Sequence, residues 1–424
     1  MYRGKAGRVL GPIEIGERIE VKKGGKIFEG ALMPRSVLGD ESHIVIKLDT
    51  GYNIGIDISG IKIKKVAVGK TGRKPKEVKV KKNPNLPDIT IIGTGGTIAS
   101  KIDYKTGAVH PSFTTAELTN AIPELNDISN IKTKLLFNIL SENMTPNHWK
   151  KIAGEVAKEL NSGARGVVVA HGTDTMAYTS AALSFMLKNL SKPVVLVGSQ
   201  RSSDRPSSDS SLNLISAIKV ASSDIGEVVV VMHGSPSDDY CLIHRGTKVR
   251  KMHASRRDAF KSVNIAPIGR VTGEVKIENY CRKRGNGDVK VDDRLDENVA
   301  LVKMYPGINS EVLDYYIETY NGIVIEGTGL GHVPEGLLAP VKRAGDLGKP
   351  VVMTTQTVYG RVDMKVYSTG RKLLSEGVIP GMDMLSEVAY VKLMHVLGST
   401  KDLDKVGAMM QKNIAGEIAE RILF

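Results

Sequence analysis

Ile89-Thr90-Ile91-Ile92-Gly93-Thr94-Gly95-Gly96-Thr97-Ile98-Ala99 is the stretch that decides the fold class. Its opening run is too short and too β-branched for a helix, and glycines follow at once, so it reads as a buried parallel strand ending in a tight turn. Gly166-Val167-Val168-Val169-Ala170, followed by His171-Gly172-Thr173-Asp174-Thr175-Met176, repeats the form further along. Each turn places a threonine hydroxyl at the carboxyl end of a strand, which is where open α/β sheets bind their ligands. Asp174 adds a carboxylate to the second turn. The glycines also suit a dinucleotide fingerprint or a phosphate cradle, but the spacing is not that of the fingerprint and no Gly-Lys-Ser/Thr ending follows. Two readings remain for the turns taken alone: a catalytic or substrate-binding pair, or ordinary strand ends.

Working outward, Pro193 to Val197 and Glu227 to Met232 are further buried strands, ending in Gly198-Ser199-Gln200-Arg201 and His233-Gly234, while Thr179 to Leu187 has helical spacing. Such alternation predicts a mostly parallel sheet with helices on both faces. Gly269 to Glu297 is glycine-rich and charged and reads as a connection between domains. Strands at Asn298–Val302, Gly322–Ile325 and Pro350–Met353 then announce a second, smaller α/β domain. Ahead of all this, Arg18–Lys22, Lys26–Gly30, His43–Leu48, Asn53–Asp57 and Ile61–Lys64 alternate or cluster apolar residues at strand period, which predicts a small SH3-like β-barrel. The expected organisation is therefore a barrel over 1–67, a linker over 68–87, a larger α/β domain over 88–275, a connection over 276–297 and a smaller α/β domain over 298–424.

Composition is consistent with this division. A chain of 424 residues is long for one core. It is 41% hydrophobic without a run long enough to span a bilayer, and its start lacks the apolar stretch of a secretory signal, so a soluble cytoplasmic protein is expected. Cys241 and Cys281 are too few for a disulfide framework and lack zinc-ligand spacing. Basicity is local. Between Lys62 and Lys82 ten Lys/Arg face one acid, Glu77, so this segment carries nine of the net +13 charges. It either faces phosphate or is a solvated linker. His171 and His233 both follow strands, but no metal-ligand spacing accompanies them, and hydrogen-bonded structural histidines are expected.

Thr94 to Ala99 and His171 to Met176 together resemble the two signature motifs of the L-asparaginase and glutaminase family, in the family's order. The similarity runs from about Pro87 to Phe424, and Asp258 to Asn264 resembles the segment that follows the family's catalytic lysine, which would be Lys251. The resemblance implies a flavodoxin-like larger domain and makes Thr97 the nucleophile, supported by Thr173, Asp174 and Lys251. The chemistry is coherent. A primary amide is a weak electrophile with a poor leaving group, and an acyl-enzyme divides its hydrolysis into two easier steps, provided a base relieves the hydroxyl of its proton. Gly96 and Gly172 are the candidates for backbone contact with the developing oxyanion. Ser141 and Glu142 resemble the pair that grips the substrate's α-amino and carboxylate groups, although Glu142 stands where many members carry glutamine. Without the family they would read as a helix cap and a surface acid. Tyr104 falls in the stretch that the family uses as a mobile loop over the substrate. His332 falls near a substrate-side position contributed by the neighbouring subunit, where asparagine is commoner.

The extension in front of such a catalytic region resembles the ammonia-releasing subunits of tRNA-dependent amidotransferases. That resemblance implies glutamine as substrate, no cofactor in this chain, and an E-type partner subunit that uses ATP and Mg to activate tRNA-bound glutamate. It further implies a homodimer within a heterotetramer, tRNA contacted through the complex, and no membrane. The alternatives are a stand-alone L-asparaginase with an unrelated extension, and a nucleic-acid-binding module fused to an inactive amidase lobe. The complete set of Thr97, Thr173, Asp174 and Lys251 weighs against inactivity, and with 5% aromatic residues no stacking face for RNA accompanies the lysines.

Overall fold

Asp88–Gly93 and Gly166–Ala170 do form adjacent parallel strands, with Gly93 in register with Ala170. They lie in an eight-stranded sheet, in which Asn130–Leu135, Asp88–Gly93, Gly166–Ala170, Val194–Val197 and Val228–His233 run parallel in that spatial order. Valine and isoleucine dominate the four inner strands because both faces are covered. One face packs on the helices Pro146–Asn161 and Met176–Met186, the other on Ser210–Ser222. Burial of each such side chain is worth about 1.5–3 kcal/mol, which sets strand register firmly. The structure is a computed structural model that describes Tyr2 and residues 4–422, apart from 35–39, 49–52, 67–81, 97–99, 103–108, 112–113, 115–116, 120–121 and 203–206. Thr97, Tyr104 and most of the basic linker therefore lie outside the described residues.

The glycine-rich stretch from Gly269 is more than a connection. Cys241–Arg245, Gly269–Thr272 and Glu274–Ile277 extend the larger sheet by three antiparallel strands. At its opposite edge, Asn130–Leu135 directs Lys132 and Lys134 back to Glu159 and Glu155 of the covering helix, at 2.7 and 2.5 Å. Its first residue is also tied to the incoming chain, because the Asn130 side-chain amide donates to the Asn83 and Leu86 carbonyls and accepts from the Asn83 amide.

The smaller lobe is a four-stranded parallel sheet of Val299–Lys303, Gly322–Gly327, Val351–Thr355 and Ile379–Pro380. Its helix Ser386–Leu397 is buried on nearly all sides, because one side packs on this sheet and the other on Met176–Met186 of the larger lobe. The two lobes therefore share one hydrophobic cluster.

The amino-terminal strands are Arg18–Lys23, Lys26–Leu32, His43–Leu48, Asn53–Asp57 and Lys62–Lys65, all in one antiparallel sheet. A helix, Gly4–Leu10, precedes them and places Ala6 and Leu10 in their core. Among the described residues no helix is long and apolar enough to cross a membrane.

Candidate active site

Register brings the two threonine turns together. The Thr94 amide and hydroxyl both donate to the Ala170 carbonyl at 3.0 Å, so the first turn starts against the last residue of the neighbouring strand. Gly96 then turns with φ at +82°, and a methyl group there would stand 2.9 Å from the Gly172 Cα and nitrogen. Only glycine combines that left-handed conformation with so close an approach. Thr97 is the next residue in the sequence and lies outside the described residues. Gly172 is as closely confined: a methyl group there would meet the Ser141 Oγ at 2.8 Å, and the Thr175 hydroxyl donates to the Ser141 carbonyl at 2.7 Å.

Lys251 reaches the same place from another part of the larger lobe. It ends the strand Val249–Lys251, which pairs with Phe260–Ser262 in a small separate hairpin. Its ammonium donates to the Thr173 hydroxyl at 2.8 Å and to the Asp174 carboxylate at 2.6 Å. The lysine side chain is 13% exposed and the aspartate 65%, so the pair sits at the rim of the site with the lysine turned inward. Thr173, Asp174 and Lys251 are thus brought into one hydrogen-bonded group, beside Gly96, Gly172 and Ser141. Glu142 is exposed on the same short 3-10 turn, Ser141–Asn143.

His332 makes its contacts within the smaller lobe. It bridges to Thr328, its ring meets Tyr367 edge-on at 5.2 Å, and both ring nitrogens are shielded without a hydrogen-bond partner among the described residues. Among the described residues no hydrogen bond or ring contact of His332 reaches the threonine turns.

His171 supports the second turn from beneath. The Trp149 indole N–H donates to the Thr179 hydroxyl at 3.0 Å, Thr179 Oγ1 lies 2.9 Å from His171 Nε2, and His171 Nδ1 lies 2.6 Å from the Gly172 carbonyl. The chain closes if Nδ1 carries the proton and Nε2 accepts, which is a neutral imidazole. Burial favours the same state and lowers the His171 pKa to about 4. This has a measurable consequence. The unfolded imidazole, near its ordinary 6.5, takes up a proton before the folded one does, so stability is complete above about pH 6.5 and declines as pH falls towards 4. The decline from His171 alone should be on the order of 3 kcal/mol, with buried His244 and His395 acting in the same direction. Urea unfolding midpoints across that range are expected to slope downward on acidification, and His171→Gln should flatten the slope. An unaltered slope in the variant would remove His171 as its source.

Asp209 is a support that sequence reasoning missed. Fully buried, it accepts from the Gln200 and Arg201 amides and from the Asn213 side chain, and so fixes the loop after Val194–Val197 beside the threonine turns. Its sequence signal was an aspartate just before an apolar helix, which is an ordinary capping pattern.

Residues 88–282 match the model of the asparaginase N-terminal domain, and residues 298–410 that of the glutaminase/asparaginase C-terminal domain. The chain belongs to the asparaginase family. Residues 13–66 of this asparaginase-family chain match in addition the GatD N-terminal domain. It is 58% identical over 418 residues to the D subunit of the glutamyl-tRNA(Gln) amidotransferase of Pyrococcus horikoshii, covering 96% of this chain and 95% of that one. With the corresponding D-type protein of Methanothermobacter thermautotrophicus it shares 52% over 427 residues, covering 99% and 98%. Among solved structures, the thermostable L-asparaginase of Thermococcus kodakarensis superposes with a TM-score of 0.73 at 38% identity, covering 78% of this chain and 99% of that one. L-asparaginase I of Vibrio cholerae gives 0.71 at 33% identity, with 79% and 99% covered.

Proposed function

We propose that this chain is the glutaminase subunit of a tRNA-dependent amidotransferase, releasing ammonia from glutamine for a partner subunit that amidates glutamate on tRNA(Gln). One observation carries the reading: the relatives that match the chain over nearly its whole length are D subunits of that enzyme, whereas a whole L-asparaginase is matched by only 78% of it.

In the proposed chemistry the Thr97 hydroxyl attacks the side-chain amide carbon. The oxyanion that forms meets backbone amides of the Gly96 and Gly172 turns. Collapse of the intermediate breaks the C–N bond, and the leaving nitrogen takes a proton to depart as ammonia. Water then attacks the ester, releasing glutamate and restoring the hydroxyl. Thr173, Lys251 and Asp174 form the group through which protons move, since the Lys251 nitrogen is within hydrogen-bond reach of both oxygens. Ser141 and Glu142 hold the α-amino and carboxylate groups of glutamine. No cofactor is required of this chain, and ATP and Mg serve the E-type partner. A homodimer within a heterotetramer is the assembly this reading entails.

The test compares the full-length chain with one beginning near Pro87, measuring ammonia release from glutamine with and without the E-type subunit and charged tRNA, at two salt concentrations. Basal activity should survive the truncation, while stimulation by partner and tRNA should be lost or weakened. Attraction of phosphate by the basic segment should make the association salt-dependent. Equal stimulation of both proteins would dismiss the extension as the coupling element. No stimulation of the full-length protein would favour the stand-alone L-asparaginase, the reading that the Thermococcus kodakarensis structure suggests.

A further inference from the structure

Lys251 stands on a strand that is held largely from outside its own sheet. Leading up to it, the Thr247 hydroxyl donates to the Ala415 carbonyl at 3.0 Å, and the Lys248 ammonium donates to the Asp383 carboxylate at 2.5 Å and to the Asp383 carbonyl at 3.0 Å. Arg250 lies 3.6 Å from Glu387, at the start of the smaller lobe's interlobe helix. The side chains of Lys248 and Asp383 are both completely buried. The second Asp383 oxygen accepts from the Ala419 amide at 2.9 Å, and its carbonyl also accepts from the Asn264 side chain at 3.1 Å. The carboxyl-terminal segment that supplies Ala415 and Ala419 is itself fixed by a second fully buried pair, Lys392 and Glu417, at 2.6 Å.

A buried ion pair is a poor way to gain stability, because removing two charges from water costs about what their attraction returns, and an apolar pair of similar volume is often as good or better. What such a pair supplies is a defined geometry. Lysine needs it: its ammonium rides on a flexible four-carbon stem, so its position depends on where the strand is held. Misplacement by about 1 Å can cost on the order of 10²-fold in rate.

We propose that Asp383 is a positioning residue for amide hydrolysis: through Lys248, with Arg250 and Glu387 beside them, the smaller lobe fixes the strand from which Lys251 reaches Thr173 and Asp174. The inference rests on the reading of Lys251 as part of the proton-moving group.

The test uses the full chain and measures kcat, KM and melting temperature for Asp383→Asn, for the charge-free pair Lys248→Met with Asp383→Leu, and for Arg250→Met. Arg250 is one-third exposed, so its variant folds and reports whatever becomes of the buried ones. Asp383→Asn should be destabilised, and the charge-free pair less so, since only the Ala419 amide is left without its acceptor. Both should lower kcat by about tenfold or more with KM within about twofold, and Arg250→Met should lower kcat about threefold. A role confined to stability predicts instead that the charge-free pair recovers kcat along with its melting temperature. That recovery, or an Arg250→Met variant with parental kcat, overturns the proposal. Lys251→Met measured alongside separates the two levels: if it retains parental kcat the proton-moving group is wrong, and if it is inactive while the anchoring variants are not, only the anchoring is wrong.

Discussion

Thr97→Ala is expected to abolish ammonia release from glutamine, with a loss on the order of 10⁴-fold or more, because the proposed acyl-enzyme forms on its hydroxyl. The fold should be untouched. Thr97 follows Gly96, and Gly96 is seated against Gly172 whatever side chain comes next. The decisive measurement is mass spectrometry of protein quenched during turnover with glutamine: the parent should carry a glutamyl adduct on Thr97 and the variant none. An undiminished burst of ammonia from the variant would remove Thr97 from the mechanism and turn attention to Thr173.

The second large effect belongs to the proton-moving group. Lys251→Met, Thr173→Val and Asp174→Asn should each lower kcat by about 10²–10⁴-fold, the range that a positioned acid–base group supplies. The combined variant should be little worse than the worst single one, since groups joined by hydrogen bonds of 2.8 and 2.6 Å act as one unit. Additive losses would show three independent contributions instead. Asp174, more than half exposed, should show the smallest effect of the three, because water can replace part of its contribution.

The strands that carry the site were legible because burial on two faces leaves an unmistakable apolar run. Gly166–Ala170 was read to the residue, and Asp88–Gly93 with one more residue at each end. The five amino-terminal strands were equally visible, through alternation and glycine punctuation. The Gly4–Leu10 helix escaped notice because it buries only Ala6 and Leu10, too few for a periodic signal. Gly269–Thr272 and Glu274–Ile277 escaped for a related reason. As outer strands of the sheet they keep one side in water, so Arg270, Thr272, Glu274 and Lys276 alternate with the apolar and glycine positions.

At the site, sequence reasoning found the groups that touch one another and missed those that hold them. Thr173, Asp174 and Lys251 carry recognisable chemistry. Asp209, Lys248 and Asp383 do not announce themselves, because a charge in a sequence is by default a solvated one, and only the three-dimensional arrangement shows that these are enclosed. His332 was singled out for a substrate-side role contributed to a neighbouring subunit; within its own lobe its ring packs edge-on against Tyr367.

Among the described residues the larger sheet ends at Asn130–Leu135, and an edge strand is in general a template on which a foreign strand can build. Here that growth is opposed at both levels. Lys132 and Lys134 pair with Glu159 and Glu155 of the covering helix, Lys132 staying mostly exposed, and the Asn130 side chain is held by the chain arriving from Asn83 to Asp88. Charged side chains along an edge strand disfavour fibril-like growth on it, because an incoming strand would have to desolvate them to pair.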